Sequence, residues 1–385
     1  THSPAGSQVL FGSASTYLQF MQRPKTLGEL KASGWTSRSV RDELRANLIQ
    51  RLRSKEEVFH GIVGYEDSVI PQIQNAVLSG HSFILLGLRG QAKTRIARAL
   101  SDLLDEWVPA IEGSELNEDP MAPVTVPSIR RAEELGDDLP IRWMHRSERY
   151  QEKLATPDVS VADLIGDVDP IKAANLGLDY SDERVIAYGL IPRSHRCIFA
   201  INELPDLQPR IQVALFNILQ EGDIQIRGFQ MRLALDLQFV FTANPEDYTS
   251  RGAIITPLKD RIQSQILTHY PRSIEDSLAI TAQEARLTAE QHRRVVVSPM
   301  VAELVERVAV AARESEYIDA GSGVSARLSI TAYELLVAAA ELRSHLTGDA
   351  PTNTRITDLL GIHHSKQREA ASLELIHAVV KLRSL

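Results

Sequence analysis

The chain has 385 residues, enough for two or three domains, and its 43% hydrophobic and 24% charged residues are the make-up of a soluble protein. Forty-two Lys and Arg against 50 Asp and Glu leave a net charge of −8, so nucleic acid meets no general attraction and is not an expected partner. No apolar run approaches the roughly 20 residues of a membrane span, and the single cysteine, Cys197, excludes an internal disulfide or a Cys-based zinc cluster and points to a reducing, cytoplasmic setting.

The sequence starts at Thr1 without Met or an apolar leader, as expected of a trimmed or partial chain. Residues 1–56 read as an extension, small and polar at first, then an amphipathic helix over Val40–Arg53. FHGIVG (Phe59–Gly64) leads into a helical stretch, Tyr65–Leu78, and Ser82–Leu86 reads as a buried strand. The loop GLRGQAKT follows, and Thr94–Trp107 carries Ile96, Ala99, Leu100 and Leu103 at helical spacing. Residues 109–186, rich in Pro and charge, read as an insertion with one strand at Ile141–His145 and an Arg/His cluster expected on a solvated surface.

Regular structure is then expected again. Cys197–Ile201 is an apolar strand ending in Asn202-Glu203, and Arg210–Gln220 is a helix. Ile224–Leu233 alternates around Gly228 like a β-hairpin, Leu237–Ala243 is a strand ending in Asn244-Pro245, and Ser264–Tyr270 is a further short strand. Beyond Pro271 the pattern is helical throughout: Ile274–Leu287, Pro299–Ser315, Ser329–Leu346 and Ala370–Leu382. The neighbours His363 and His364 point apart on a helix and read as a solvated pair rather than metal ligands. Strands alternating with helices and then a run of helices predict an α/β domain with a parallel sheet followed by an all-α domain.

The loop Gly87–Thr94 sits between a buried strand and a helix start, where backbone N–H groups converge on phosphate oxygens. In G-x-x-x-x-G-K-[ST] the position before the lysine is glycine, and here it is Ala92, which is expected to take a right-handed helical conformation in the first turn. Lys93 is placed to reach the β- and γ-phosphates, and Thr94 to put its hydroxyl on Mg²⁺. At the second strand tip Asn202 supplies an oxygen for Mg²⁺ through water, and Glu203 a carboxylate that polarises the attacking water. Asn244 ends a third strand with a group able to orient that water. Arg261, in TPLKDRI, suits developing phosphoryl charge across a subunit boundary, and Arg327, in GVSAR, opens a helix of the α-domain. Each segment alone has a plain structural explanation; five in this order do not.

The series GLRGQAKT, CIFAINELPDL, FVFTANPEDY, LKDRI, GVSAR resembles the AAA+ ATPases of the MoxR and magnesium-chelatase ATPase-subunit group, over roughly residues 57–345. The resemblance implies an AAA+ core over 57–271 with a pre-sensor-1 hairpin and the insertion at 109–186, an all-α lid over 272–346, and a C-terminal helical segment over 347–385. It makes Gly87, Leu88, Arg89, Gly90, Gln91, Ala92, Lys93 and Thr94 Walker A, with Ala92 matching the MoxR form of the loop. Asn202-Glu203 becomes Walker B, Asn244 sensor 1, Arg261 the arginine finger, Arg327 sensor 2, and Ile62 and Val63 the lining of the adenine pocket. It implies ATP and Mg²⁺ as cofactors and a homo-oligomeric ring, commonly a hexamer. The implied work is chaperone-like action on a partner with a von Willebrand A domain, in metalloenzyme maturation or metal insertion. One departure stands out: Walker B ends in Asp-Glu, and Asn202 keeps the oxygen but not the charge, so slow hydrolysis is expected. Three other readings stay open: the magnesium-chelatase ATPase subunit proper, a nucleotide-switched scaffold with little or no catalysis, and a DNA-associated motor using hairpin Arg227 and Arg232. An enhancer-binding activator is set aside, because neither its G-A-F-T-G-A loop nor a helix-turn-helix is present.

Overall fold

The computed structural model describes residues 23–180, 182–226, 232–245, 253–314 and 325–359. The expected helix Ala370–Leu382, the pair His363 and His364, the hairpin's Gly228 and Arg227, and the first 22 residues lie outside them.

A five-stranded, wholly parallel sheet forms the centre: β1 (Phe83–Leu86), β2 (Tyr150–Leu154), β3 (Cys197–Asn202), β4 (Leu237–Ala243) and β5 (Ser264–Leu267), in the spatial order β5-β1-β4-β3-β2. The two central strands are apolar at nearly every position because both faces of the sheet are covered. Along β3, Phe199 and Ile201 pack with Phe239 and Phe241 of β4 into one core. The alternate residues Ile198 and Ala200 join Phe83, Leu85, Val240 and Ile266 in the core on the opposite face.

Helices α1 (Val40–Ser54), α2 (Val69–Leu78) and α3 (Lys93–Ala99) close the second face, and α4 (Pro209–Glu221) the first. After the short helix α5 (Thr256–Arg261) and β5, the chain enters a helical domain containing α6 (Ile274–Glu284), α7 (Pro299–Glu314) and α8 (Ala326–Thr347). Its small cores join Val301 and Val305 with Ala332 and Leu336, and Val295 with Val337 and Ala340. A two-residue parallel bridge, Val295–Val296 with Thr352–Asn353, interrupts the expected all-helical run.

Several expected boundaries move. The stretch 109–186 is not one excursion: Tyr150–Leu154 is a strand of the central sheet, paired in parallel with β3. Its sequence YQEKL carries too little apolar signal to be read as a core strand because, at the sheet's edge, it stays partly exposed along its length. Helix α2 starts at Val69 rather than Tyr65, whose ring is buried and whose hydroxyl is occupied by tertiary hydrogen bonds. The helix expected over Thr94–Trp107 ends as a 3₁₀ turn at Leu103, and Trp107–Ile111 instead pairs antiparallel with Ile141–His145. Strand β5 stops at Leu267, three residues short of Tyr270. The hairpin is present as Asp223–Gln225 against Arg232–Ala234.

The Arg/His cluster is not wholly a solvated surface either. Arg149 is fully buried, with its guanidinium bidentate on Glu43 of α1 at 2.6 and 2.7 Å and its Nε donating to the Arg196 carbonyl at 3.0 Å. The Asp236 carboxylate accepts the Val40 N–H at the start of the same helix. Helix α1, read as part of an extension, is thereby fixed to the central fold.

Candidate functional site

All five strands run the same way, so their carboxyl ends open on one side, where an open α/β sheet holds its ligands. Register puts four tips side by side: Leu86 pairs with Ala243, Phe241 with Ile201, and Leu154 with Asn202. The loop Gly87–Ala92 leaves β1 at this point, and a cavity of about 1090 Å³ lies between it and the helical domain.

The loop's geometry explains its residues. Gly87 donates its N–H to the Ala243 carbonyl at 3.1 Å, and a Cβ there would run into the Thr268 hydroxyl and the Gln91 side chain. Gly90 has φ +77°, and a Cβ on it would come within 2.7 Å of Ser325 at the start of α8. Ala92 corrects the expectation: with φ 55° and ψ 14° it is left-handed, not right-handed, at the position before the helix. Glycine adopts that conformation without penalty, whereas alanine bears about 1–2 kcal/mol. Lys93 is 7% exposed, and its ammonium donates to the Gly87 and Leu88 carbonyls at 2.5 and 2.8 Å. Thr94 is half-buried beside it in the first turn of α3.

Across the cavity floor, Glu203 follows β3 with φ 56°, another left-handed residue without glycine's freedom. Its N–H bonds the Thr242 hydroxyl at 3.2 Å, and that hydroxyl in turn donates to Asn202 Oδ1 at 3.2 Å. Thr242 of β4 thus holds both residues of the β3 tip. Asn244 is buried one residue beyond β4, next to the strand end that holds Gly87.

Ile62, Val63, Arg89, Gly90, Gln91, Ala92, Lys93, Thr94, Glu203 and Arg327 all line this cavity. Ile62 is buried and Val63 half-buried; Ile280 of α6 and Ile330 of α8 complete an apolar end. Gly87, Leu88, Asn202 and Asn244 stand behind the lining, in the strand ends and the loop that support it. Arg261 is elsewhere. It is part-exposed on α5, its Nε on Gln220 at 3.1 Å, its Nη1 on the Pro257 carbonyl at 2.8 Å, and its guanidinium 4.7 Å from the centre of the Phe216 ring. It does not line the cavity of its own chain.

The sequence reading missed the residues that bind this cleft together. The Tyr65 hydroxyl lies 2.6 Å from the His269 carbonyl and 3.1 Å from that of Gln91. Burial pushes its pKa up to about 12, so it stays a donor. Thr268 donates to the Gln91 side chain at 2.7 Å, Gln283 of α6 to the Gly61 carbonyl at 2.9 Å, and Arg95 pairs with Glu284 across the cleft. Such single contacts carry no periodicity or motif, so only Tyr65, next to FHGIVG, was marked by its position. Among the described residues no group of three His, Cys, Asp or Glu side chains could hold a metal, and no helix is long and apolar enough to cross a membrane.

The order β5-β1-β4-β3-β2, the phosphate-type loop after β1, and a helical domain beside the strand tips are those of an α/β P-loop core followed by a helical domain. In sequence the chain is similar to magnesium-chelatase subunits. It is 24% identical over 241 residues to the magnesium-chelatase subunit ChlI of Nostoc sp. (strain PCC 7120), covering 61% of this chain and 59% of that one. The same subunit of Anabaena variabilis matches at 24% over 213 residues, 54% of this chain and 58% of that one. The chain thus spans about three-fifths of the length of these relatives. Among solved structures, the magnesium-chelatase complex of subunits BchI and BchD has a chain 20% identical with a TM-score of 0.42, covering 83% of this chain and 95% of that one. NtrX of Brucella abortus in complex with ATP is 14% identical with a TM-score of 0.45, covering 88% and 66%. No family model matches the sequence.

Proposed function

We propose that the chain is an Mg²⁺-dependent ATP hydrolase that assembles with copies of itself into a ring, a hexamer in the first instance, and uses hydrolysis to remodel or activate a partner protein. Its core is 57–271 and its lid 272–346. One observation carries this reading: residues from four separate segments, Ile62–Val63, Arg89–Thr94, Glu203 and Arg327, face one cavity at the carboxyl ends of a parallel sheet.

In the proposed mechanism the adenine takes the apolar end beside Ile62 and Val63, and the loop N–H groups with Lys93 take the phosphates. The Lys93 ammonium, now held by two loop carbonyls, exchanges those neutral acceptors for anionic ones, which favours binding. Mg²⁺ fits this donor set because it is usually held through substrate phosphates and one or two protein oxygens, here the Thr94 hydroxyl and the Asn202 carboxamide. When bound it supplies neutralisation of phosphate charge. Glu203 takes a proton from the attacking water, which Asn244 orients. Arg327, on the lid, follows the nucleotide state. Arg261 serves the site of the adjoining protomer, which is supported by its place on a surface outside its own cavity.

The finer reading is a chaperone-like role in metalloenzyme maturation or metal insertion, with a von Willebrand A-domain protein as partner. Its support is the similarity to ChlI, a magnesium-chelatase subunit. The nucleotide-switched scaffold is the second reading, favoured by Asn202 where the AAA+ ATPases it resembles carry aspartate. Calorimetric titration with Mg²⁺–ATP tests the core claim: wild type binds and Lys93→Ala does not, whereas equal binding by both removes the site.

A further inference from the structure

The segment joining β5 to the lid meets the phosphate loop through three consecutive residues, two directly and one by way of Tyr65. The Thr268 hydroxyl meets the Gln91 side chain, the His269 carbonyl shares the Tyr65 hydroxyl with the Gln91 carbonyl, and the Tyr270 hydroxyl donates to the Arg89 carbonyl at 2.9 Å. A phosphate loop works only if its N–H groups face the ligand, which requires its carbonyls to face away and find donors elsewhere. Tyr65 and Tyr270 are those donors, for Gln91 and Arg89.

Tyr270 has a second contact that Tyr65 lacks. The guanidinium of Arg313, in the last turn of α7, lies 4.8 Å from the centre of its ring, and Arg313 Nε and Nη2 are buried with no hydrogen-bond partner among the described residues. A cation held over a ring face, with two of its nitrogens buried, is favoured by that contact. Displacing Tyr270 therefore costs the lid as well as the loop.

The geometry points to Tyr270 as the positioning residue that couples the phosphate loop to the lid, its hydroxyl setting the Arg89 carbonyl and its ring carrying Arg313. This rests on the nucleotide-binding reading above. Filling the loop fixes the Arg89 carbonyl outward, which fixes Tyr270 and with it the last turn of α7. In reverse, lid movement that draws Arg313 off the ring frees the loop and weakens nucleotide binding, since coupling between sites is reciprocal.

The test pairs equilibrium binding of a fluorescent ATP analogue with hydrogen exchange of the α7 amides, with and without Mg²⁺–ATP, on the full chain. Wild type gains protection in α7 on binding. Tyr270→Phe keeps the ring and loses the hydroxyl; its dissociation constant rises about fivefold, the worth of one hydrogen bond of about 1 kcal/mol, and the nucleotide-dependent protection of α7 falls. Arg313→Lys keeps a cation over the ring and retains the protection, and Arg313→Gln loses it. The proposal is overturned if Tyr270→Phe binds and protects as wild type does, or if the two Arg313 variants behave alike. Wild type that binds no Mg²⁺–ATP overturns both this coupling and the nucleotide site, which separates that failure from one confined to Tyr270.

Discussion

Replacing Glu43 by Gln tests how far the N-terminal helix belongs to the fold. Glu43 and Arg149 have side chains 3% and 1% exposed, joined by two hydrogen bonds of 2.6 and 2.7 Å. Glu43 also accepts the Asp105 N–H at 2.5 Å. Gln keeps the shape and one acceptor but leaves a guanidinium buried without a counter-charge. Breaking such a pair from one side costs about 3–5 kcal/mol, a large share of the roughly 5–15 kcal/mol that holds a domain folded. Substituting both partners with apolar residues of similar volume, Glu43→Leu with Arg149→Met, removes the orphaned charge and recovers most of that loss. Urea unfolding followed by circular dichroism measures all three proteins. A loss under about 1 kcal/mol for Glu43→Gln, or a double variant no better than the single, would refute the view that α1 is fastened through this pair.

Three other outcomes are expected. If Asn202 faces Mg²⁺ as proposed, Asn202→Asp adds a negative charge there and should raise Mg²⁺ affinity by about tenfold, roughly 1–2 kcal/mol, read from the Mg²⁺ dependence of nucleotide binding; no change removes Asn202 from the proposed metal site. Arg261→Ala should bind nucleotide normally yet lose about 10³-fold in turnover, and mixing it with Glu203→Gln should restore part of the activity through rings that pair an intact Arg261 with an intact Glu203; no recovery on mixing argues against action between protomers. His195 is buried, and desolvation, then the charge of Arg196, pushes its pKa down to about 4 from an ordinary 6.5. The unfolded chain takes up that proton first, so this contribution is complete above about pH 6.5 and about 3 kcal/mol is lost as pH falls toward 4. His195→Gln should flatten that part of the pH–stability curve, and an unchanged slope would assign the loss to other groups.

The central strands were legible because burial on both faces writes continuous apolar runs such as CIFAIN and LQFVFTA, which few other arrangements tolerate. Strand β2 was not, since an edge position lets YQEKL stay polar. That the loop after β1 and the tip of β3 meet at one cavity was legible because both follow strands whose apolar runs could be read. What escaped was conformation and long-range contact. Nothing local distinguishes a left-handed Ala92 from a right-handed one: the close approach of Gly90 to Ser325 and the bond between Gln91 and Thr268 are made by segments some 180 to 235 positions away. For the same reason Arg149 read as one more surface charge until the fold brought Glu43 to it, and Tyr270 as the end of a strand until it met both Arg89 and Arg313.

The most direct measurement is phosphate release under saturating Mg²⁺–ATP by wild type and by Glu203→Gln, alongside nucleotide binding by each. A working site gives slow turnover in wild type, and in the variant a collapse of turnover with ATP still bound. Undiminished release from Glu203→Gln, or none from wild type despite tight binding, would contradict hydrolysis at this cleft.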